Sequence, residues 1–318
     1  MISRRIKICI LLLSVFILNG TNAQVIFEDY FTDGTASQWN GIRGSWEVIN
    51  QEYIGYLDAP GPASDLYAKT GDMNWTNYIF QAQMKFVLAA PEWNDFGLVF
   101  YDQGNEYIRF TLGNEEAPPT ARISYQKSDT SSDEFETIEE LATVVSEPLM
   151  VSGVWYDVRL SIYNDCVYAY VNDILVARAD NLPFTHGDIG LLADDATVYF
   201  DNIIVTNNTP VAAVTDIVQG TIRTNTKQIT CNILPPEGYY AEQIDTDSIR
   251  LNDGTFLIHA KQVSVKRKQQ MLVAKFSTSQ LPLVSGDILN LSISGMLIDG
   301  TPFAGSDIVE VVSKGKPN

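Results

Sequence analysis

From Val25 onward the chain runs as short apolar or alternating segments broken by Gly, Asn and Asp, and no stretch keeps a helical repeat with caps over three turns. Such a pattern buries one face of a strand at every second residue, so the chain is expected to be all-β. Its clearest passage, residues 186–206, reads HGDIGLLADDATVYFDNIIVT. There Ile189 and Leu191, then Val198, Phe200, Ile203 and Val205, are apolar on either side of a polar Asp194-Asp195 turn. This predicts two strands pairing across a short connection, as the closing pair of one large β-sandwich. Earlier strands are expected at 46–49, 53–56, 78–87, 96–101, 107–112, 121–125, 155–163, 167–171 and 174–177 to cover it, with a tight hairpin at Asn172-Asp173. The acidic, weakly periodic segment 126–151 is expected to be a long loop, with at most one helical turn.

The first residues stand apart. Arg4, Arg5 and Lys7 precede an apolar run from Ile8 to Leu18, and Thr21-Asn22-Ala23 supplies the small residues that a signal peptidase reads. A signal peptide over residues 1–23 is therefore expected, and with it a chain that is secreted, periplasmic or associated with the cell surface. The run is too short to span a bilayer and no second one follows, so no transmembrane segment is expected. Cys166 and Cys231 then remain, in what read as different domains, and neither a disulfide framework nor a reactive thiol is expected.

The formal charge is −18, from 21 Lys+Arg against 39 Asp+Glu. Residues 24–215 hold 8 basic and 29 acidic side chains, whereas residues 216–318 hold 10 of each. So acidic a first region repels nucleic acid and anionic membrane and favours neutral or cationic partners and divalent cations; simple solubility explains the charge equally well. The break at Asn207-Asn208-Thr209-Pro210 places a linker at 207–215. On either side, domains at 24–206 and 216–318 are expected to fold separately, the second with strands at 229–234, 248–251, 263–266, 271–276 and 288–298.

Laid end to end, several segments carry a resemblance. They are Phe27-Glu28-Asp29-Tyr30-Phe31 with Trp39 and Gly44-Ser45-Trp46, Phe96-Gly97-Leu98-Val99-Phe100 with Asn105-Glu106-Tyr107, Trp155-Tyr156-Asp157-Val158-Arg159-Leu160, and Phe200-Asp201-Asn202-Ile203. Together they resemble the concanavalin A-like, laminin-G-like jelly-roll superfamily, and among it the exported bacterial modules grouped with keto-disaccharide hydrolases and glucanase-like lectins. The resemblance covers most of residues 25–206. It implies two antiparallel sheets packed face to face, with ligands met on a concave face or on rim loops. The segments 234–239, 244–252, 273–276 and 294–307 resemble an accessory β-sandwich repeat module of exported prokaryotic proteins, which implies no chemistry of its own.

Catalytic signatures are missing from the sequence. A glucanase of this fold sets carboxylates along one strand as E-x-D-x-x-E; the nearest cluster, Phe135-Glu136-Thr137-Ile138-Glu139-Glu140, lacks that spacing and reads as solvated charge. A jelly-roll lyase needs a His and Tyr pair beside an Arg, and the two histidines, His186 at a turn and His259 in the second domain, lack that company. The superfamily resemblance implies a structural calcium ion joining first and last strands, with Asp29 and Asp201 as its ligands; alternatively both carboxylates cap turns.

For a glycan or cell-surface polysaccharide, alternation selects Tyr101, Tyr107, Arg109 and Arg122 as residues sharing the concave sheet. Trp93 serves as an exposed platform in a loop, while Trp39, Trp46, Trp75, Trp155 and Phe200 are assigned to the core. The expected function is an exported, non-catalytic carbohydrate-binding or surface-interaction protein. The alternatives are a glycoside-cleaving enzyme of the keto-disaccharide hydrolase-like group and a structural envelope protein.

Overall fold

A computed structural model describes residues 23–56, 65–88, 95–113, 120–128, 135–146, 150–194 and 196–313. The expected leader (residues 1–22 of it), Trp93 and Asp195 lie outside the described residues. In chain order the first module contains β1 (Val25–Asp29), β2 (Asn40–Arg43), β3 (Ser45–Ile49), β4 (Glu52–Tyr56), β5 (Asp65–Thr70), β6 (Tyr78–Leu88), β7 (Asp95–Asp102) and β8 (Glu106–Gly113). It continues with β9 (Thr120–Ser128), β10 (Phe135–Glu140), β11 (Thr143–Val144), β12 (Trp155–Tyr163), β13 (Cys166–Val171), β14 (Ile174–Ala179), β15 (Asp188–Asp194) and β16 (Ala196–Asn207). The second module contains β17 (Val211–Ala212), β18 (Val214–Ile217), β19 (Thr221–Arg223), β20 (Gln228–Leu234), β21 (Arg250–Asn252), β22 (Leu257–Lys266), β23 (Met271–Ser277), β24 (Ile288–Met296) and β25 (Pro302–Val312). Among the described residues no helix is long and apolar enough to cross a membrane.

The protein is all-β, a two-sheet jelly-roll β-sandwich followed by a smaller all-β module. In the first module the described strands form a nine-stranded sheet, β11-β14-β13-β12-β6-β16-β4-β3 with β1 also on β16, and a seven-stranded sheet, β10-β9-β8-β7-β15-β5-β2. Alternation makes the core between them. On β6, Phe80, Ala82, Met84 and Phe86 are buried against Leu98, Phe100, Phe110 and Leu191 of the other sheet, while Gln83 and Lys85 point outward. Phe86 and Phe96 stack across the gap with ring centroids 4.5 Å apart.

Three expectations are corrected here. β15 and β16 do not pair with each other: β15 lies between β5 and β7, and β16 lies beside β6, β4 and β1 in the opposite sheet. Crossing between sheets points both strands' apolar residues at one shared core, and so produces the same alternation as a hairpin. The 126–151 segment is not all loop, because β10 pairs with β9 at the sheet edge and β11 pairs with β14. An edge strand is paired on one side only, so an acidic stretch with Glu139 and Glu140 exposed can serve. Trp155 is half-buried on the outer face of the nine-stranded sheet, not in the core; Lys85 Nζ lies 4.4 Å from its ring and 4.1 Å from that of Tyr199. Trp39 and Phe200 are buried, and Trp46 and Trp75 pack half-buried against the core. Asn172 and Asp173 do form the two-residue hairpin turn, both at positive φ (50° and 63°), which suits the type I′ geometry.

The second module is one sheet in the order β17-β25-β24-β21-β22-β23-β20-β18, with β19 also on β25, and it curls over its own core of Ile229, Leu251, Phe276, Ile293 and Phe303. Its ends meet where Ile217 N donates to Asp307 Oδ2 at 2.7 Å.

The passage between modules is held at every step. Asn207 N donates to Gln24 O at 2.9 Å and Asn208 N to Asn77 O at 2.7 Å. The buried Asn208 amide donates to Ser161 Oγ and Ile162 O, and β17 then pairs with β25. Beyond it the two modules share a buried junction. Asp165, in the β12–β13 turn, meets Arg250 Nε at 3.0 and 3.1 Å and His259 Nε2 at 3.1 Å. Arg250 is 1% exposed and also donates to Asp247 O at 2.6 Å. Cys166, Tyr168 and Tyr170 form a small cluster with Met296, and Tyr168 and Arg178 both donate to Asp245. Gly300 (φ +82°) is required here, because a Cβ would lie 2.6 Å from the Tyr170 hydroxyl.

Candidate functional site

The outer face of the seven-stranded sheet gathers the chemistry. Because Leu66, Ala68, Leu98, Ile108, Phe110, Leu191 and Ala193 point into the core, their strand neighbours point away from it. Register then sets these neighbours in rows. One row runs Arg43, Tyr67, Leu192, Gly97, Thr111, Arg122; the next runs Lys69, Gly190, Val99, Arg109, Ser124. Gly190 has to be small, since a Cβ there would sit 2.6 Å from the Tyr67 ring. Tyr67 and Tyr107 lean toward each other across the intervening strands and stack with centroids 5.6 Å apart, covering Val99 and Leu192.

Polar groups flank this aromatic pair on both sides. On one side the Tyr67 hydroxyl donates to Asp102 Oδ2 at 2.6 Å, and Lys69 Nζ bridges Asp102 at 3.1 Å and Asp188 at 3.3 Å. Burial, reinforced by the Asp102 charge, holds the Tyr67 phenol far above its ordinary value. Burial also raises the Asp188 carboxyl, against the pull of Lys69. Asp102 is 1% exposed and takes a further bond from Gly104 N at 2.6 Å on its other oxygen. With both oxygens engaged and 1% exposure, Asp102 acts as a clasp between these strands. Tyr67→Phe removes one donor from this buried carboxylate and is expected to cost about 2 kcal/mol of unfolding free energy, read by urea titration. An unchanged midpoint would mean that the clasp does not need the hydroxyl.

On the other side Arg109 Nε donates to Ser124 Oγ at 3.2 Å, Gln126 Nε2 donates to the same oxygen at 3.0 Å, and it also donates to Thr137 Oγ1 at 2.8 Å. This row fixes the Arg109 guanidinium through its Nε, while its two Nη groups meet no protein partner among the described residues. Beside it, among the described residues, the Thr111 hydroxyl, on a residue 1% exposed, has no hydrogen-bond partner, and Asp194 Oδ1 has none either.

Of the residues singled out from sequence, Tyr107, Arg109 and Arg122 do share this face. Tyr101 does not, and is corrected: it is fully buried in the core, with its hydroxyl 3.3 Å from Asn164 O. The cause is local. Tyr101 takes a left-handed backbone (φ 53°) where β15 and β7 slip register, so it falls out of phase with the alternation and joins Phe100 inside. Trp93 lies outside the described residues. The sequence reading missed Tyr67 and Arg43. Asp65-Leu66-Tyr67-Ala68-Lys69-Thr70 does alternate with period two, and that pattern was the available signal.

Asp29 and Asp201 lie on paired strands, and the Asp29 charge contributes to raising the Asp201 carboxyl. Both carboxyls are raised by burial, and both act as caps. Asp29 accepts from Phe31 N at 2.9 Å and Trp39 Nε1 at 3.1 Å, and Asp201 from Asn202 N at 2.7 Å. Calcium takes six to eight oxygens, so an ion at this pair would draw on further oxygens besides these two carboxylates. Among the described residues no group of three or more His, Cys, Asp or Glu side chains could hold a metal ion.

No protein-family model matches the chain, and no curated protein matches it in sequence. Solved structures do resemble it. They include a carbohydrate binding module, CBM66, from Bacillus subtilis, at 16% identity over 54% of this chain and 96% of that one with a TM-score of 0.42. SCLam, a non-specific endo-beta-1,3(4)-glucanase from family GH16, is 13% identical over 60% of this chain and 93% of its own, with a TM-score of 0.43. A Bacillus subtilis protein of unknown function with a galectin-like fold is 10% identical over 58% of this chain and 98% of its own, again with a TM-score of 0.43.

Proposed function

We propose that the outer face of the seven-stranded sheet holds a glycan, and that the protein is an exported, non-catalytic carbohydrate-binding or surface-interaction protein. The observation that carries this reading is the row built around Arg109. A guanidinium is held at its Nε by Ser124, its two Nη groups without a protein partner among the described residues, beside a buried Thr111 hydroxyl that also lacks one among them and a stacked tyrosine pair. Sugars are recognised by such means: planar cations and hydroxyls on their oxygens, and aromatic surface on their C–H faces. The glycoside-cleaving alternative needs two carboxylates flanking a bond, one able to donate a proton and one to attack or to activate water. On this face the candidate pair is Asp102 and Asp188, and both are clamped on Lys69.

The test is a glycan array on the two-module chain, followed by titration of Arg109→Ala with Arg122→Ala against any glycan bound. The expected outcome is at least a tenfold weaker affinity with unchanged melting, since both side chains point away from the core and neither is fully buried. Unchanged affinity at unchanged melting places the glycan elsewhere, and turnover of any polysaccharide in a parallel activity screen removes the non-catalytic reading.

A further inference from the structure

The second module is neutral in sum, with 10 basic and 10 acidic side chains over residues 216–318, but its cations are not spread evenly. Six of them (Lys227, Lys261, Lys266, Arg267, Lys268 and Lys275) lie on β22, on the turn after it, on β23 or at the entry to β20. Among the described residues Arg267 meets Glu242 at 3.7 Å, while the five lysines meet no carboxylate within ion-pair distance. In the first module Lys69 and Lys85 are each paired.

Strand register concentrates three of the five. Lys275 stands opposite Gln262 on one side and Thr230 on the other, which puts it beside Lys261, and Thr278 N, three residues on, donates to Lys227 O at 3.2 Å. At this end of the sheet a bowl of about 570 Å³ opens, lined by Lys227 and Lys261, the hydroxyls of Thr224, Ser277 and Ser279, and an apolar side at Leu281. That volume is within the range of small-ligand sites, about 300–1,000 Å³. Its rim is built in advance: Arg223 N donates to Thr226 Oγ1 at 2.9 Å, and the Thr278 hydroxyl donates to Thr226 O, so the two loops are tied to each other.

We propose that this bowl binds an anionic polysaccharide through its carboxylate or sulfate groups. Two ammonium groups facing one cavity without a carboxylate repel each other, and an anionic ligand relieves that repulsion; the hydroxyls and Leu281 offer what the sugar ring needs. The site lies on the other module from the outer face of the seven-stranded sheet and does not depend on that reading.

The experiment titrates the two-module chain with polygalacturonate, which carries carboxylates, with dextran sulfate, which carries sulfate esters, and with neutral dextran. Binding is expected to at least one charged polymer and not to dextran, with an affinity that falls steeply as NaCl is raised, as for any polyanion held by released counterions. Selectivity between the two charged polymers assigns the anion. Lys227→Ala with Lys261→Ala is expected to weaken binding at least tenfold without moving the melting temperature, whereas Lys266→Ala with Lys268→Ala, and separately Arg109→Ala with Arg122→Ala, retain most of it. Any one of four results overturns the proposal: no binding of either charged polymer, including the case where the chain binds phosphatidylglycerol vesicles instead; equal affinity for dextran; no loss in the Lys227 and Lys261 variant; or an equal loss in the Lys266 and Lys268 variant, which would indicate diffuse charge.

Discussion

Arg250→Ala is expected to lower the unfolding free energy by about 3–5 kcal/mol, the cost of leaving one member of a buried ion pair without its partner. Arg250 is 1% exposed and holds both oxygens of Asp165, which is itself 5% exposed. Removing the guanidinium leaves that carboxylate buried at the junction, with His259 and a weak Cys166 thiol beside it. Burial alone would raise the Asp165 pKa. The His259 hydrogen bond and the Arg250 charge outweigh burial and hold it below the usual carboxylate range. A depressed folded-state value means that, between it and about 3.9, the unfolded chain binds more protons than the folded one. The stability from this group is therefore complete above the unfolded value and lost as pH falls through the folded one. Urea titrations of wild type and variant at pH 7 and down toward pH 3 read both effects. A loss under about 1 kcal/mol at pH 7 would show that water reaches Asp165 and that the pair is a surface contact.

The second large effect concerns the chain cut between modules. A fragment of residues 23–208 is expected to melt on the order of 10 °C below the two-module chain, from a loss of a few kcal/mol at about 2–4 °C per kcal/mol for a domain of this size. The cut exposes Tyr168 and Tyr170, strips Asp165 of Arg250 and His259 and leaves the Ser161 hydroxyl without Gly300 O. Small polar residues at 207–215 pointed instead to two independently melting units. Calorimetry of the two-module chain beside an equimolar mixture of the fragments separates the views. Equal melting temperatures would return the linker to a passive role.

What could be read in advance depended on how far each signal extends along the chain. Arg109 and Tyr107 were legible because β8 alternates cleanly around Ile108, Phe110 and Leu112. Tyr101 was not, because a single left-handed residue shifts the phase of a strand without changing its composition. The sheet assignment of β15 and β16 failed for a related reason: a pattern of inward residues records that there is a core, not which sheet supplies it. The junction was beyond reach, since Asp165 and Arg250 lie 85 positions apart and each, taken alone, reads as solvated charge. His259 was set aside as a residue of the accessory module, and it stands against Asp165, a buried carboxylate that joins the modules.

The hydrogen bonds at Asn207 and Asn208 also bear on how the protein carries load. A flexible segment the length of 207–215 would span about 15–18 Å and act as a spring between its modules. Here β16 passes through the Asn208 amide bonds into β17 and its pairing with β25, so there is no slack to take up. Tension applied between the modules must break these bonds and the Asp165–Arg250 contact together before the chain lengthens, and the two sandwiches behave as a stiff strut and not as beads on a tether.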